Sequence, residues 1–75
     1  MNATIKTLYG ILPEDCPYIE DIYDSLEDAR QAHPGQQIMV GYGIVDEKTG
    51  FLLENTKDWY DTYEEVQTAF AELST

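Results

Sequence analysis

Two stretches of the chain have the pattern of hydrophobic and polar positions that predicts β-strands. Residues 3–12 mix apolar side chains with threonines in a pattern typical of a strand. Residues 36–45 alternate more regularly, with Ile38, Val40, Tyr42 and Ile44 on one face and Met39, Gly41, Gly43 and Val45 on the other. Two glycines on one face indicate that another element, such as a helix, packs close to the backbone there.

Turn residues separate these strands from the next elements of the chain. Residues 46–50 (DEKTG) end in glycine, as a hairpin loop that closes through a left-handed residue should, so residues 51–55 are predicted to be the return strand. Residues 13–17 (PEDCP) form a turn between two prolines, and residues 18–23 are an extended or irregular approach to a helix.

The hydrophobic spacing becomes helical after Ser25 and again after Thr62. Ser25 with Asp28 is a variant of the capping box, and Thr62 with Glu65 is a full one. The first helix should end at Pro34-Gly35. The second carries an apolar stripe at Val66, Ala69, Phe70 and Leu73.

Two ten-residue stretches are nearly the same: residues 23–32 read YDSLEDARQA and residues 60–69 read YDTYEEVQTA. Upstream of them, residues 9–12 resemble residues 42–45. We therefore predict an α+β fold: two ββα units forming a three- to four-stranded antiparallel sheet, with two helices packed on one face. Residues 1–75 would be a single domain with a possible internal repeat (9–33 and 42–73). Capping chemistry alone would also make two helix starts look alike, so both explanations stay open.

Length and composition limit the protein to one small core. The chain has 75 residues, of which 43% are hydrophobic, so we expect it to fold, with a net stability of ~3–5 kcal/mol. The single cysteine, Cys16, can form no disulfide within the chain. The N-terminal stretch does not have the pattern of a signal peptide, and no apolar run is long enough to cross a bilayer. A cytoplasmic protein is expected.

The formal net charge of −11, from fifteen acidic and four basic residues, is the most unusual property of the composition. Nucleic acids and anionic membranes require a cationic face, so we expect neither to bind directly, and a basic protein is the expected partner. The acids concentrate in residues 14–28, the first acidic segment, and residues 54–72, the second acidic segment. The acidic residues in the first helical turns are explained by their favourable interaction with the helix dipole. The acidic residues in the loops before these turns are not.

Tyrosines and a tryptophan are interleaved with these acids, and both residue types are favoured anchors at protein interfaces. In size, acidity and mixed fold the chain resembles small phage-encoded inhibitors of host defence and other nucleic-acid mimics. The resemblance is compositional and carries no motif, so no site is transferred from it. It implies a non-enzymatic inhibitor that occludes a basic nucleic-acid-binding surface of a partner protein, in the host cytoplasm if the chain is phage-encoded.

The candidate partner-binding residues lie in the two acidic segments, around their aromatic side chains. They are Asp21, Tyr23, Asp24, Glu27, Asp28, Asp58, Trp59, Tyr60, Asp61 and Glu64. One alternative is a structural or assembly module, such as a homodimer joined through a strand edge, whose acidity only serves solubility. A small-ligand binder or an enzyme is a further alternative.

Residue patterns that would indicate catalysis or a cofactor are weak. Cys16 has no evident base, and His33 falls at the predicted C-terminus of a helix, where it can offset the dipole. No Cys and His residues have the spacing of a zinc site. Gly41 and Gly43 lie in a strand rather than before a helix, so they do not form a phosphate-binding loop. We therefore predict no enzymatic activity, no cofactor and no metal.

Overall fold

The computed structural model describes residues 2–73 and has an α+β fold. A three-stranded antiparallel sheet has the order β2-β1-β3, and the chain also forms two helices. The elements are β1 (Ala3–Leu12), β2 (Ile22–Tyr23), α1 (Leu26–Ala32), β3 (Gln37–Asp46) and α2 (Tyr63–Leu73). The predicted fold class is confirmed, with three strands in the sheet.

The described residues fall into two compact units. The central unit contains residues 8–40, and the terminal unit contains residues 2–7 and 41–73. The long strands β1 and β3 contribute to both units, since each strand passes the boundary between them.

The core of the terminal unit forms around the buried side chains of Ile44, Tyr60 and Val66. Val66 belongs to the apolar stripe of α2, whose helical spacing also brings Ala69, Phe70 and Leu73 against the core. The N-terminus of this helix is capped as predicted, because the Thr62 hydroxyl accepts a hydrogen bond from the Glu65 backbone N–H at 3.2 Å.

The hairpin turn after β3 closes through Gly50, as predicted. Gly50 has a φ of 78°, a left-handed conformation that glycine adopts without a Cβ penalty. Its N–H donates to the Asp46 carbonyl at 2.8 Å, and the Asp46 side chain accepts from the Lys48 N–H at 2.7 Å. The turn is therefore held by both the backbone and the side chain of Asp46.

The return strand predicted over residues 51–55 is much shorter in the structure, where a single antiparallel bridge joins Leu52 to Val45. The chain leaves β3 after Leu53 and passes through Asn55, which has a φ of 69°. It returns at Tyr60, which exchanges two backbone hydrogen bonds of 2.9 and 3.0 Å with Tyr42. Two short segments, at Leu52 and at Tyr60, therefore pair with β3 in place of the one continuous strand that was predicted.

A close approach to the glycine face of β3 was predicted, and the element that makes it is the Trp59 side chain rather than a helix. A Cβ built on Gly41 would overlap Cε2 and Cζ2 of the indole and lie 2.6 Å from Cη2. The indole thus packs directly on the Gly41 backbone. Glycine is required there because any side chain would occupy the volume of the ring.

The central unit buries Leu8, Ile11 and Ala29. Helix α1 begins at the N-cap Ser25, whose hydroxyl accepts from the Asp28 N–H at 3.1 Å, and it ends at the C-cap His33. Strand β2 pairs antiparallel with β1 through Tyr9–Tyr23 and Gly10–Ile22. These local features match the sequence pattern.

The two units share several features at positions that the sequence similarity makes equivalent. Each has a bridge between two tyrosines, a buried isoleucine, a buried small residue in the helix and a hydroxyl cap. The pairs are Tyr9–Tyr23 with Tyr42–Tyr60, Ile11 with Ile44, Ala29 with Val66 and Ser25 with Thr62. The internal repeat of 9–33 and 42–73 and the single domain over 1–75 stay predictions.

Replacing Gly41 with alanine should destabilise the protein by about 1–3 kcal/mol, because the new methyl group overlaps the Trp59 indole. In a Trp59→Ala background the same replacement should be neutral or stabilising, since glycine within a strand costs about 0.5–1 kcal/mol relative to alanine. Urea unfolding followed by circular dichroism, with sucrose added to keep the variants folded, measures both steps. Equal destabilisation in the two backgrounds would contradict the packing of the indole on Gly41.

Candidate interface in two acidic segments

The carboxylates of this protein lie on its surface. Every Asp and Glu except the half-buried Asp46 is exposed. Exposed carboxylates of one sign add to a negative surface potential, which is the requirement for attracting a basic partner.

The second acidic segment presents a group of carboxylates in the loop before α2 and in its first turn. Asp58, Asp61 and Glu64 are all exposed. The half-buried Trp59 donates from Nε1 to Asp61 Oδ1 at 2.9 Å. Because Gly41 fixes the indole, this hydrogen bond also holds the Asp61 carboxylate in place.

Tyr60, one of the candidate interface residues, lies in the core. Its side chain is 7% exposed and belongs to the cluster with Ile44 and Val66. Its hydroxyl accepts from the Lys57 N–H at 3.2 Å, and the Lys57 Nζ lies 5.8 Å from the ring centroid. A side chain so little exposed has almost no surface to offer a partner, so Tyr60 is left out of the interface.

Tyr63 is an exposed aromatic residue that the candidate set omitted. It is 49% exposed at the first position of α2 and packs edge to face against Tyr42, with ring centroids 5.4 Å apart. Tyr60 and Tyr63 are three residues apart on either side of a helix start, and the sequence pattern does not show which of them points inward.

The first acidic segment lies in the central unit. It also combines exposed acids with an aromatic ring, Tyr23, that is positioned by a hydrogen bond. Asp24, Glu27 and Asp28 are exposed. His33 Nε2 lies 3.0 Å from the Asp21 carboxylate and 3.2 Å from the half-buried Tyr23 hydroxyl. His33, the C-cap of α1, therefore holds the side chains of Asp21 and Tyr23 in place.

An open groove of about 660 Å³ lies beside α2, and its lining is polar and apolar in nearly equal parts. Tyr60, Glu65 and Glu72 contribute to it, together with Lys57, Thr62, Glu64, Thr68 and Ala69. The ammonium group of Lys57 partly balances the carboxylates in this groove.

Within residues 2–73, no three His, Cys, Asp or Glu side chains converge in a way that could hold a metal ion. In the same part of the chain, neither helix has the length and apolar character of a membrane span. Comparison of the chain with protein-family models, with curated proteins and with solved structures finds no match.

Alanine replacements should distinguish the two tyrosines at the start of α2. Tyr60→Ala should cost about 3–5 kcal/mol of stability or prevent folding, because it empties the core of a large side chain. Tyr63→Ala should cost about 1 kcal/mol, since it removes a half-exposed ring and one edge-to-face contact. Urea unfolding measures both values, and similar costs for the two variants would show that the burial assigned to Tyr60 is wrong.

Proposed function

We propose that this protein is a non-enzymatic inhibitor that covers a basic, nucleic-acid-binding surface of another protein. The observation that carries the proposal is the exposure of almost all of its carboxylates in a chain of net charge −11. A cationic groove that binds phosphates would also attract a surface rich in carboxylates.

The charge affects the rate of association more than the final affinity. Complementary potentials steer diffusional encounters and can raise association rates by about 10–10³-fold at low ionic strength. Salt screens this attraction, with a Debye length of about 10 Å at 0.1 M. Strong salt dependence is therefore the main expected property of the complex.

Rigid presentation of the acids supports the proposal further. Asp61 is held by the Trp59 indole, and the helix that begins after it is capped by Thr62. Side chains that are already ordered lose less conformational entropy when a partner binds. The exposed ring of Tyr63 adds an aromatic anchor beside these carboxylates.

Each acidic segment supplies its own set of proposed contacts. Those of the second segment are Asp58, Trp59, Asp61, Tyr63 and Glu64, and those of the first are Asp21, Tyr23, Asp24, Glu27 and Asp28. Under this proposal the protein acts in the cytoplasm where its partner binds nucleic acid, as an anti-defence protein of a phage would. It has neither catalytic activity nor a cofactor.

The partner can be captured from a lysate of the native host at low salt and identified by mass spectrometry. Two results together support the proposal: the complex weakens strongly between about 50 and 200 mM salt, and the captured protein loses its nucleic acid as the inhibitor is added. A homodimer formed through strand edges would instead persist across this salt range, which sedimentation of the protein alone would reveal.

Changing Asp58 and Asp61 together to asparagine should slow association with the captured partner by about three- to tenfold at low salt. Stability should change by less than about 1 kcal/mol, since both acids lie just outside α2. Asparagine at position 61 retains Oδ1 and can still accept the hydrogen bond of the Trp59 indole. Stopped-flow fluorescence of Trp59 measures the association rate.

The matched control is Glu14→Gln with Asp15→Asn, which removes the same charge from an exposed turn after β1. It should slow association less than the first pair does. Equal slowing by both pairs would mean that overall charge alone steers the encounter and that Asp58 and Asp61 make no specific contact. A sharp loss of stability with unchanged association would make these two acids structural residues of the helix start.

A further inference from the structure

We infer that a cleft beside the β3 hairpin binds an arginine side chain of a partner protein. The cleft, which we name the Leu52 cleft, has a volume of about 450 Å³. Its lining consists of Asp46, Thr49, Leu52, Leu53, Glu54, Asn55 and Leu73. Glu54 and Asn55 lie at the start of the second acidic segment, but no residue of this lining is among the proposed contacts of the two segments.

Three leucines give this cleft an apolar wall. Leu53 and Leu73 pack against the core of the terminal unit, and Leu52 is held by its bridge to Val45 while its side chain stays 38% exposed. The volume falls within the range of about 300–1,000 Å³ that is typical of pockets for small groups. An aliphatic chain of a few methylene groups would cover the exposed part of this wall.

Two acidic residues belong to the lining beside the leucines, so a cation is favoured over a neutral apolar group. Asp46 and Glu54 both line the cleft, and the lining includes no Lys or Arg. One oxygen of Asp46 accepts from the Lys48 N–H, but a carboxylate can accept several further hydrogen bonds. An arginine side chain combines an apolar stem with a planar guanidinium of five donors, which matches a lining of leucines and acidic residues.

The hairpin holds this surface in position. Asp46 and Phe51 are joined by a backbone hydrogen bond of 2.9 Å, and the Phe51 N–H also donates to the Thr49 hydroxyl at 3.2 Å. Phe51 itself is 76% exposed next to Leu52 in the chain. An exposed aromatic ring on a well-connected hairpin provides apolar area for the residues that neighbour the bound arginine.

The inference does not depend on the proposed inhibition of a nucleic-acid-binding protein, since it concerns a different set of residues and can be tested on the free protein. The probe is Nα-acetyl-arginine N-methylamide, titrated into the ¹⁵N-labelled full-length chain. We expect backbone amide shifts concentrated at residues 46–55 and at Leu73. The neutral analogue Nα-acetyl-norleucine N-methylamide, which keeps an apolar stem without the charge, should produce much smaller shifts.

Glu54→Gln should weaken binding of the arginine probe by about tenfold, the effect of losing a hydrogen bond to a charged group. The matched control is Glu47→Gln, which removes one exposed carboxylate from the same hairpin but from outside the cleft. This variant should bind the probe as the unmodified chain does. Both replacements keep the shape of the side chain, so the amide spectrum should stay that of the folded protein.

Three results would overturn the inference: amide shifts spread over all acidic residues, equal binding of the norleucine analogue, or equal weakening by the two glutamine variants. The first would indicate non-specific attraction of a cation, and the second an apolar cleft without charge recognition. Each leaves the salt-dependent capture of a basic partner unaffected. The failure of this site can therefore be distinguished from the failure of the proposed inhibition.

Discussion

The packing of the Trp59 indole on the bare backbone of Gly41 is the contact on which the acidic surface of the terminal unit depends. It places the indole N–H next to the Asp61 carboxylate, and it brings Tyr60 to the hydrogen-bonding edge of Tyr42. The following residue, Thr62, then caps α2. The close approach of the indole to Gly41 therefore anchors the loop to the sheet just before the capped start of α2.

Local sequence signals predicted most of the secondary structure because the forces behind them are local. Apolar residues mixed with threonines predicted β1, alternation predicted β3, and a hydroxyl three residues before an acid predicted the start of each helix. Gly41 correctly predicted that another group packs close to the backbone of β3. Its partner could not be identified, because Trp59 is eighteen residues away and follows an irregular loop.

Two further features were not predicted from the sequence, and both depend on tertiary contacts. Residues 51–55 have the composition of a strand, but Tyr60 pairs with the same strand at Tyr42, so the return strand is reduced to one bridge. Tyr60 and Tyr63 are chemically identical, and only the direction in which the loop enters α2 decides that one is buried and the other exposed. No pattern of residue types distinguishes them in advance.

The two units share some features and differ in others. The tyrosine bridge, the buried isoleucine and the capping hydroxyl occur in both units, and each unit contains a helix. Where the central unit has Leu8 and Ile22, the terminal unit has Gly41 and Trp59. Leu8 is buried and Ile22 is 38% exposed, whereas the Trp59 indole packs on the Gly41 backbone. Trp59 also places an N–H donor beside Asp61, which the aliphatic side chain of Ile22 cannot provide. The indole thus combines packing against the sheet with a hydrogen bond to a carboxylate, a combination that Leu8 and Ile22 do not provide.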